Sequence, residues 1–439
     1  MSMKYLAVLG RQPEISIAEL EMLTGIKWHQ MSFSGHSSRP SSRGSSLSPR
    51  SNCGIPSKDI LMPLDINQLG GSIKLAVELE QSPLEFLAGL PEGKITLGVS
   101  DYSDKASQKS VSQEALKLKK ILVRHGRSVR VVENKGAVLS TATSLHNGLS
   151  GGNERKVELI KVDDGWYRVI GVQDIDAYAK RDQARPARDA KVGMLPPKLA
   201  QVLINLCGPL KPGSVVLDPF CGTGVVLQEA ILMGYSAYGT DISERMVEYS
   251  ERNLKWLLRD RLRQWEQVSE VSPVTTGANE RVEKQPFQVS VGDATSFRWG
   301  RPIDAVACEG YLGKPFSKIP TEMELKVQKQ ECGVIVTGFL KNLAGQIKPG
   351  TPVVIAVPAW LRSDGSYERL DIVDYSRSSS EAKRSFGSET TQNGQLFPQE
   401  KVDEIEDMGY NVSNKTREGL LYHREAQVVA RDILILRKK

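Results

Sequence analysis

One stretch of ten residues constrains the fold of this chain more than any other: Val215-Val216-Leu217-Asp218-Pro219-Phe220-Cys221-Gly222-Thr223-Gly224. It begins as a short apolar run, ends that run on a carboxylate and then turns through two glycines. Residues 225–233 have helical character, and Gly234 is suited to end the helix. A buried strand, a tight glycine turn and a helix N-terminus together direct backbone N–H groups and the helix dipole toward an anionic group. The stretch therefore predicts a small-molecule site.

Strands alternate with helices from this turn onward. The predicted strands are 215–217, 236–241, 287–294, 303–308, 353–360 and 428–436, with helices at 225–233 and from about 244 to 258. Such alternation predicts an α/β fold whose parallel sheet has right-handed crossovers. Several of the strands end in polar residues, which predicts a crevice at the carboxyl edge of the sheet.

Two later carboxylates narrow the ligand class. Asp241 follows the glycines by about 20 residues, at a position where a carboxylate accepts hydrogen bonds from both ribose hydroxyls of a nucleoside. Asp293 ends the third strand, where it is suited to an adenine amino group. The turn is not GxGxxG, so a nucleoside with a small zwitterionic tail fits better than a dinucleotide. We predict S-adenosylmethionine as the cofactor, with a degenerate nucleotide-binding domain as the alternative; the binding residues are Asp218, Phe220, Gly222, Gly224, Asp241 and Asp293.

The sequence before this domain predicts four further segments. These are an N-terminal α/β segment (1–31), a flexible Ser/Arg-rich segment (32–58), a mixed α/β module (59–172) and a basic connector (173–192), followed by the second domain (193–439). The Ser/Arg-rich segment has almost nothing to bury, which is typical of a flexible chain. Its arginines, Arg39, Arg43 and Arg50, belong either to a solvated loop or to a nucleic-acid contact.

Basic residues are concentrated in the connector, whereas the chain as a whole is only weakly basic. The net charge is only +6, from 58 Lys and Arg against 52 Asp and Glu, so bulk charge is a weak argument for a polyanionic partner. Arginine forms bidentate contacts with phosphate, while the interspersed aspartates break a continuous positive run. Two interpretations stay open, a grip on a nucleic-acid backbone and a bridge of ion pairs between domains; the substrate-binding candidates are Lys180, Arg181, Arg185 and Arg188.

Composition excludes several other classes of protein. No apolar run approaches the roughly 20 residues that a membrane helix needs, and the N-terminus lacks the features of a signal peptide. We therefore expect a cytoplasmic protein without a membrane partner. The five cysteines are scattered, without a CxxC pair, so we predict reduced thiols and neither a disulfide framework nor a metal site.

The cofactor stretch carries a family resemblance. Asp218-Pro219-Phe220-Cys221-Gly222-Thr223-Gly224 resembles the cofactor loop of class I methyltransferases that modify exocyclic amino groups of nucleic-acid bases. Together with Val8-Leu9-Gly10-Arg11-Gln12-Pro13-Glu14, the pairs Arg181-Asp182 and Arg185-Pro186, and Gly193-Met194-Leu195-Pro196-Pro197-Lys198, it resembles the THUMP-containing tRNA guanosine N2-methyltransferases, which act on the guanosine at position ten. Most of the chain is covered, apart from the Ser/Arg-rich segment and the inserts.

The resemblance carries implications for fold and partners. It implies a Rossmann-like methyltransferase domain whose mostly parallel sheet has an antiparallel last strand, preceded by an α+β THUMP-like RNA-binding region. In that family the region before about residue 172 binds the acceptor end of tRNA and the second domain transfers the methyl group. tRNA is then the expected partner. A small activating protein subunit is left open, and a monomer is expected otherwise.

The end of the fourth strand departs from that family. The family usually has an acidic residue, two prolines and an aromatic residue there, whereas this chain has Cys308-Glu309-Gly310-Tyr311. Methylation of an exocyclic amine needs an acceptor for its hydrogens and an aromatic face for a flipped base. Glu309 and Tyr311 are the catalytic candidates for these roles. Two other functions stay open: a protein that binds cofactor and RNA without transferring methyl, and a DNA amino-methyltransferase.

Overall fold

A computed structural model of the chain describes residues 3–31, 52–61, 63–189, 194–268, 286–370, 372, 405–413, 420–425 and 427–439, with only the backbone of 260–268. The chain forms two compact units. The first contains Met1–Ala184 and Pro197–Leu206, and the second contains Arg185–Pro196 and Cys207–Lys439. The sequence boundaries differ from this division, because the helix after Pro196 was assigned to the second domain and belongs to the first unit.

The first unit is built on one eight-stranded sheet in the order β2-β3-β1-β4-β8-β7-β5-β6. Its strands are β1 (Tyr5–Leu9), β2 (Trp28–Gln30), β3 (Cys53–Pro56), β4 (Ser72–Glu78), β5 (Ile95–Asp101), β6 (Val129–Val131), β7 (Lys156–Val162) and β8 (Gly165–Val172). Its helices are α1 (Pro13–Thr24), α2 (Pro83–Ala88), α3 (Gln108–Arg124), α4 (Thr141–His146), α5 (Ile175–Gln183) and α6 (Pro197–Asn205). The predicted segments 1–31 and 59–172 therefore share one sheet, and β5 runs parallel to β6 and β7 in an otherwise antiparallel arrangement.

Helix α3 shows how local pattern becomes packing in this unit. The Ser107 side chain caps its first turn by accepting a hydrogen bond from the Ser110 N–H. Val111, Ala115, Leu118 and Leu122 recur at helical spacing and are all buried. They pack in one cluster with the apolar side chains of β5, which fixes the helix on one face of the sheet.

Strand β3 corrects the predicted flexible segment. Residues 53–56 were assigned to the Ser/Arg-rich segment, but they pair antiparallel with β1 and with β2. Cys53 is fully buried and lies opposite Val8, so this short run contributes to the core despite its polar surroundings. Arg39, Arg43 and Arg50 lie outside the described residues.

Glu19 is a fully buried carboxylate on α1 that joins three parts of the first unit. It accepts hydrogen bonds from the Gly70 N–H at 2.9 Å and the Gly71 N–H at 2.8 Å. The Asn205 side chain on α6 donates to it at 2.7 Å. Burial nevertheless dominates and raises the pKa of Glu19 from 4.5 to about 7.

We expect Glu19 to make the first unit less stable as the pH rises. Its folded-state pKa lies above that of the unfolded chain, so its stabilising contribution is complete below pH 4.5 and is lost as the pH rises through about 7. In Glu19→Gln that dependence should disappear, and the difference in free energy of unfolding from the wild type should change by about 3 kcal/mol across this interval. Urea unfolding at several pH values measures it. Glu14→Gln, on an exposed carboxylate of the same helix, is the control; parallel curves for the wild type and Glu19→Gln would contradict the prediction.

The second unit has a nine-stranded sheet whose main path is β11-β10-β9-β12-β13-β17-β15. Its strands are β9 (Val215–Asp218), β10 (Ser236–Asp241), β11 (Phe287–Val291), β12 (Ala305–Glu309), β13 (Pro352–Leu361), β14 (Tyr367–Arg369), β15 (Tyr410–Val412), β16 (Leu420–Tyr422) and β17 (Val429–Lys438). Its helices are α7 (Val225–Leu232), α8 (Glu244–Val268) and α9 (Glu322–Ala344). Strands β9 to β13 are parallel, and β17 lies antiparallel between β13 and β15.

This topology confirms the predicted Rossmann-like, mostly parallel sheet with an antiparallel last strand. Chain order reverses at β9, which has β10 on one side and β12 on the other. In sheets of this kind ligands bind outside the carboxyl ends of the strands at the point of reversal. The glycine turn follows β9 and therefore lies at that point.

The described part of the chain contains neither a membrane-spanning helix nor a cluster of metal ligands. No helix there is both long and apolar enough to cross a membrane. No group of three or more His, Cys, Asp or Glu side chains there is arranged to hold a metal ion. All five cysteines are buried and reduced.

Candidate functional site

Four neighbouring parallel strands of the second unit end in carboxylates at one edge of the sheet. Asp218 ends β9, Asp241 ends β10 and Glu309 ends β12, while Asp293 follows the last residue of β11 by two positions. The strand order β11-β10-β9-β12 makes these four carboxylates a row along the edge. We call this row the acidic rim. A row of acceptors suits a ligand that presents several hydroxyl or amino hydrogens.

Asp218 is the most buried member of the acidic rim. Its side chain accepts a hydrogen bond from the Phe220 N–H at 3.1 Å, which closes the first bend of the turn. Burial raises the pKa of Asp218 well above its ordinary value, and the charges of Asp241 and Glu309 raise it further. Asp218 is therefore a buried residue that fixes the conformation of the turn.

The two glycines of the turn have different physical roles. Both adopt left-handed backbone angles, with φ of 49° at Gly222 and 81° at Gly224. A Cβ at Gly224 would lie 2.8 Å from the Ser250 Oγ, so this position has no room for a side chain. A Cβ at Gly222 would meet no atom closer than the Phe220 carbonyl oxygen at 4.0 Å, so this position borders open space. Gly222 therefore leaves open space beside the turn, which we call the cradle. Gly224 allows the turn to pack against α8.

Asp241 closes the cradle from the neighbouring strand. One carboxylate oxygen accepts a hydrogen bond from the Gly222 N–H at 2.9 Å, and the other accepts one from the Ser243 N–H at 2.9 Å. A carboxylate oxygen has two lone pairs, so each keeps the capacity for one further donor. The carboxylate thus orders the turn and is still able to accept two hydroxyl groups.

Two exposed apolar side chains flank Asp241 and were not singled out from the sequence. Ile242 is 73% exposed immediately after β10, and Val291 is 50% exposed at the end of β11. The available sequence signal was a β-branched residue directly after a strand-ending carboxylate, where a loop is ordinarily polar. These side chains provide an apolar surface beside the acidic rim.

Asp293 and Phe220 complete the predicted cofactor set in different ways. Asp293 is exposed, and its Oδ1 accepts hydrogen bonds from the Thr295 N–H at 2.9 Å and hydroxyl at 2.7 Å. Phe220 packs edge-on against Phe339 with ring centres 5.2 Å apart. Its ring anchors the turn to the core of the unit.

Helix α8 holds the turn through two polar side chains that the sequence analysis missed. The Ser250 hydroxyl donates to the Gly222 carbonyl at 2.8 Å. The fully buried Asn253 amide donates to the Thr223 carbonyl at 2.9 Å and to the Ala187 carbonyl at 2.9 Å. The signal was a pair of small polar residues three apart on the otherwise apolar face of a helix.

The end of β12 differs chemically from the rest of the rim. The Arg431 Nε on β17 donates to Glu309 in a largely buried ion pair. Burial raises the pKa of Glu309, and the Arg431 charge and hydrogen bond oppose that rise. The sequence analysis did not identify Arg431, which lies more than a hundred residues later in the chain.

Tyr311 lies two residues beyond β12 and is connected to α9. Its hydroxyl donates to the Glu331 carboxylate at 2.9 Å, and its ring packs against the core cluster of the unit. Burial and this hydrogen bond raise the pKa of Tyr311 to about 12. The side chain is therefore a neutral phenol at physiological pH, and its proposed stacking role stays a prediction.

The four basic candidates of the connector do not share one environment. Lys180 and Arg181 lie on α5 of the first unit, whereas Arg185 and Arg188 belong to the second. Lys180 and Arg188 are exposed, and the Arg181 guanidinium lies 4.4 Å from the centre of the Tyr178 ring. Arg185 is only 3% exposed and donates to the Met194 sulfur at 2.8 Å. The substrate-binding prediction is therefore wrong for Arg185, because a buried guanidinium does not reach a phosphate backbone.

Sequence comparison with known proteins gives matches over parts of the chain, and a solved structure aligns over its whole length. A family model described as DNA methylase matches residues 109–252. The tRNA (guanine(10)-N2)-dimethyltransferase of Methanothermobacter thermautotrophicus is 49% identical over 76 residues, which cover 17% of this chain and 22% of that protein. The protein of the same name from Methanocaldococcus jannaschii is 27% identical over 208 residues, covering 46% of this chain and 58% of the relative. TrmN from Thermus thermophilus aligns over 100% of both chains, with 14% identity and a TM-score of 0.43.

The family model and the two curated relatives agree with the predicted enzyme class and cofactor, an S-adenosylmethionine-dependent methyltransferase. The match spans 22% of the length of the Methanothermobacter relative and 58% of the length of the Methanocaldococcus relative.

Proposed function

We propose that this protein is an RNA methyltransferase that transfers a methyl group from S-adenosylmethionine to an exocyclic amine of a base, with N2 of guanosine 10 in tRNA as its target. The acidic rim is the observation that carries the proposal. It combines the open space at Gly222 with acceptors on four adjacent strands of the sheet. The two relatives named tRNA (guanine(10)-N2)-dimethyltransferase support the choice of substrate.

The residues around the cradle fit S-adenosylmethionine. The Asp241 carboxylate has one free acceptor position on each oxygen for the two ribose hydroxyls, and the Asp293 Oδ2 is available to an adenine amino group. Ile242 and Val291 offer apolar contacts for the adenine faces. The bound cofactor would supply a methyl group on a good leaving group, so the protein has mainly to orient the amine.

Glu309 is the proposed catalytic acceptor. As a carboxylate it accepts a hydrogen bond from the target amine, which orients the nitrogen lone pair toward the methyl group, and it takes up the proton that the nitrogen loses. Arg431 engages Oε1, so Oε2 is the oxygen left to the substrate. Tyr311 is proposed to provide an aromatic face for the flipped base.

The first unit is proposed to act as a THUMP-like RNA-binding region. Its sheet, together with the exposed Lys180 on α5, would contact the tRNA backbone, and Arg181 and Arg188 would add further cationic contacts. A cytoplasmic location follows from that substrate. A monomeric state and the optional activating subunit stay predictions.

Two rival functions have a specific observation in their favour. The absence of the family's prolines after Glu309 favours a protein that binds cofactor and RNA without transferring methyl. The family model described as DNA methylase favours a DNA amino-methyltransferase. These rivals separate in a single assay.

The assay supplies S-adenosylmethionine labelled in the methyl group together with either unmodified tRNA or duplex DNA. We expect label on tRNA alone. Label on DNA alone would show the DNA rival to be correct, and measurable cofactor binding without any label would show the non-catalytic rival to be correct. Glu309→Ala should bind the cofactor with unchanged affinity and transfer methyl at least about a hundredfold more slowly, within the range for removing a positioned acid–base group; an unchanged rate would remove Glu309 from the mechanism.

A further inference from the structure

Arg431, a buried arginine on β17, lies across β13 from Glu309, the member of the acidic rim at the end of β12. Arg431 lies on β17, which is separated from β12 by β13. Glu309 is paired with Ala356 on β13, and Arg431 is paired with Pro358, two residues further along the same strand. Paired residues and residues two apart share a face of a sheet. Glu309 and Arg431 therefore project from the same face, and the small Ala356 lies between them.

This pair is held more tightly than an ordinary surface ion pair. The side chains of Arg431 and Glu309 are only 6% and 17% exposed. The Arg431 guanidinium also lies 6.0 Å from the centre of the ring of Tyr422, which is paired with Arg431 on the neighbouring strand β16. Three strands thus fix the guanidinium in place.

The backbone after Glu309 has little stiffness of its own. Gly310 follows directly, and Gly313 adopts a φ of 80°. The Gly310 N–H donates to the Ala356 carbonyl at 2.9 Å, which fixes the backbone on β13, whereas the Glu309 side chain is held by the Arg431 guanidinium. Orientation of that carboxylate therefore depends on a side-chain partner.

We propose that Arg431 is a positioning residue for methyl transfer, which keeps the Glu309 carboxylate ionised and directs its second oxygen toward the target amine. This inference rests on the proposed function and deepens it. Arg431 contacts neither cofactor nor substrate in this account, and it acts only through Glu309.

The surroundings of Glu309 determine the direction of the expected effect. The charged and titratable groups near it are Asp218 on β9, Arg431 on β17 and the buried thiol of Cys308, with Glu331 on α9 reached through Tyr311. Burial favours protonation of Glu309, and Arg431 is the cation that opposes it. Without Arg431 the carboxylate should therefore take up a proton at a higher pH.

The test compares the pH dependence of methyl transfer in the wild type, Arg431→Met and Arg431→Lys. Transfer needs an ionised Glu309, so the rate falls as the pH drops through its pKa. In Arg431→Met this acidic limb should move up by at least about one pH unit, which is a tenfold lower rate at a pH on that limb. Arg431→Lys keeps the charge and should restore most of the limb, and the affinity for S-adenosylmethionine should stay unchanged in both variants.

Arg369→Met is the matched control. Arg369 on β14 forms an ion pair with Asp432, the residue after Arg431. Because neighbouring residues of a strand point to opposite faces, Asp432 projects from the face opposite to Arg431. This variant also removes an arginine from a largely buried ion pair on β17. It should lower stability without moving the acidic limb.

A second readout separates failure of this inference from failure of the proposed function. Titration of carbon-13-labelled glutamate carboxyls by NMR, with the Glu309 signal assigned by its loss in Glu309→Gln, follows the protonation of Glu309 directly. If the wild type methylates no nucleic acid, the proposed function fails, and the titration still decides whether Arg431 keeps Glu309 ionised. An unchanged Glu309 titration in Arg431→Met, or an active wild type whose acidic limb does not move in that variant, would overturn the inference.

Discussion

Asp241→Ala should weaken S-adenosylmethionine binding by about a hundredfold or more. The proposed contacts are two hydrogen bonds from ribose hydroxyls to a charged carboxylate, and such bonds contribute about 1.5–3 kcal/mol each. The variant also removes the acceptor of the Gly222 N–H, which donates to Asp241 at 2.9 Å, and so loosens the cradle itself. Isothermal titration calorimetry with the intact protein measures the dissociation constant.

A matched control for Asp241 lies on the same sheet. Asp304 precedes β12 and accepts a hydrogen bond from the Val215 N–H at 2.7 Å, at the start of β9 and therefore at the opposite edge. Asp304→Ala removes a carboxylate with a similar backbone role but no place in the rim, and its affinity for S-adenosylmethionine should match the wild type. Wild-type affinity in Asp241→Ala would show that the ribose does not lie beside β10.

Lys74→Met should destabilise the first unit by about 3–5 kcal/mol. The Lys74 ammonium on β4 is fully buried and uses all three donors, with Glu158 at 2.6 Å, the Ser144 hydroxyl at 2.9 Å and the Leu139 carbonyl at 2.9 Å. Glu158 also accepts from the Ser100 hydroxyl at 2.7 Å. Removal of the lysine leaves a carboxylate buried without its cation, which costs far more than the pair contributes.

The double variant and a surface pair test this explanation. Lys74→Met combined with Glu158→Leu removes both charges and should recover much of the lost stability. Lys4→Met breaks the exposed pair that Lys4 forms with Glu78 at 2.9 Å and should change little. Hydrogen exchange of β4 and β7 measures the local opening free energy separately from the second unit. Equal loss in the single and double variants would show that the ion pair is not the cause.

Local pattern in the sequence was enough to predict the second unit's sheet and the carboxylates at its strand ends that form the acidic rim. Residues 215–224 encode a strand, a turn and a helix start within one short segment, and Asp241 and Asp293 lie at strand ends that the same local pattern reveals. The antiparallel last strand followed from the family resemblance and is confirmed by the pairing of β17 with β13.

Contacts between distant parts of the chain left no local pattern to detect. Arg431 and Glu309 are 122 residues apart, and Asn205 and Glu19 are 186 apart. The buried Arg185 looked like its exposed neighbour Arg188, because alternating charges do not indicate which side chain turns inward. Strand β3 was missed because its four residues, Cys53–Pro56, follow a Ser/Arg-rich stretch whose composition is typical of a flexible chain.

The most direct test of the account identifies the methylated nucleoside. Unmodified tRNA is incubated with the protein and labelled S-adenosylmethionine, and the label is then located by nuclease digestion and mass spectrometry. We predict N2-methylguanosine at position 10, and no label there when that guanosine is replaced by inosine, which lacks the exocyclic amine. Label on another atom or only at another position, or transfer to the inosine-containing tRNA at the wild-type rate, would contradict the proposed function.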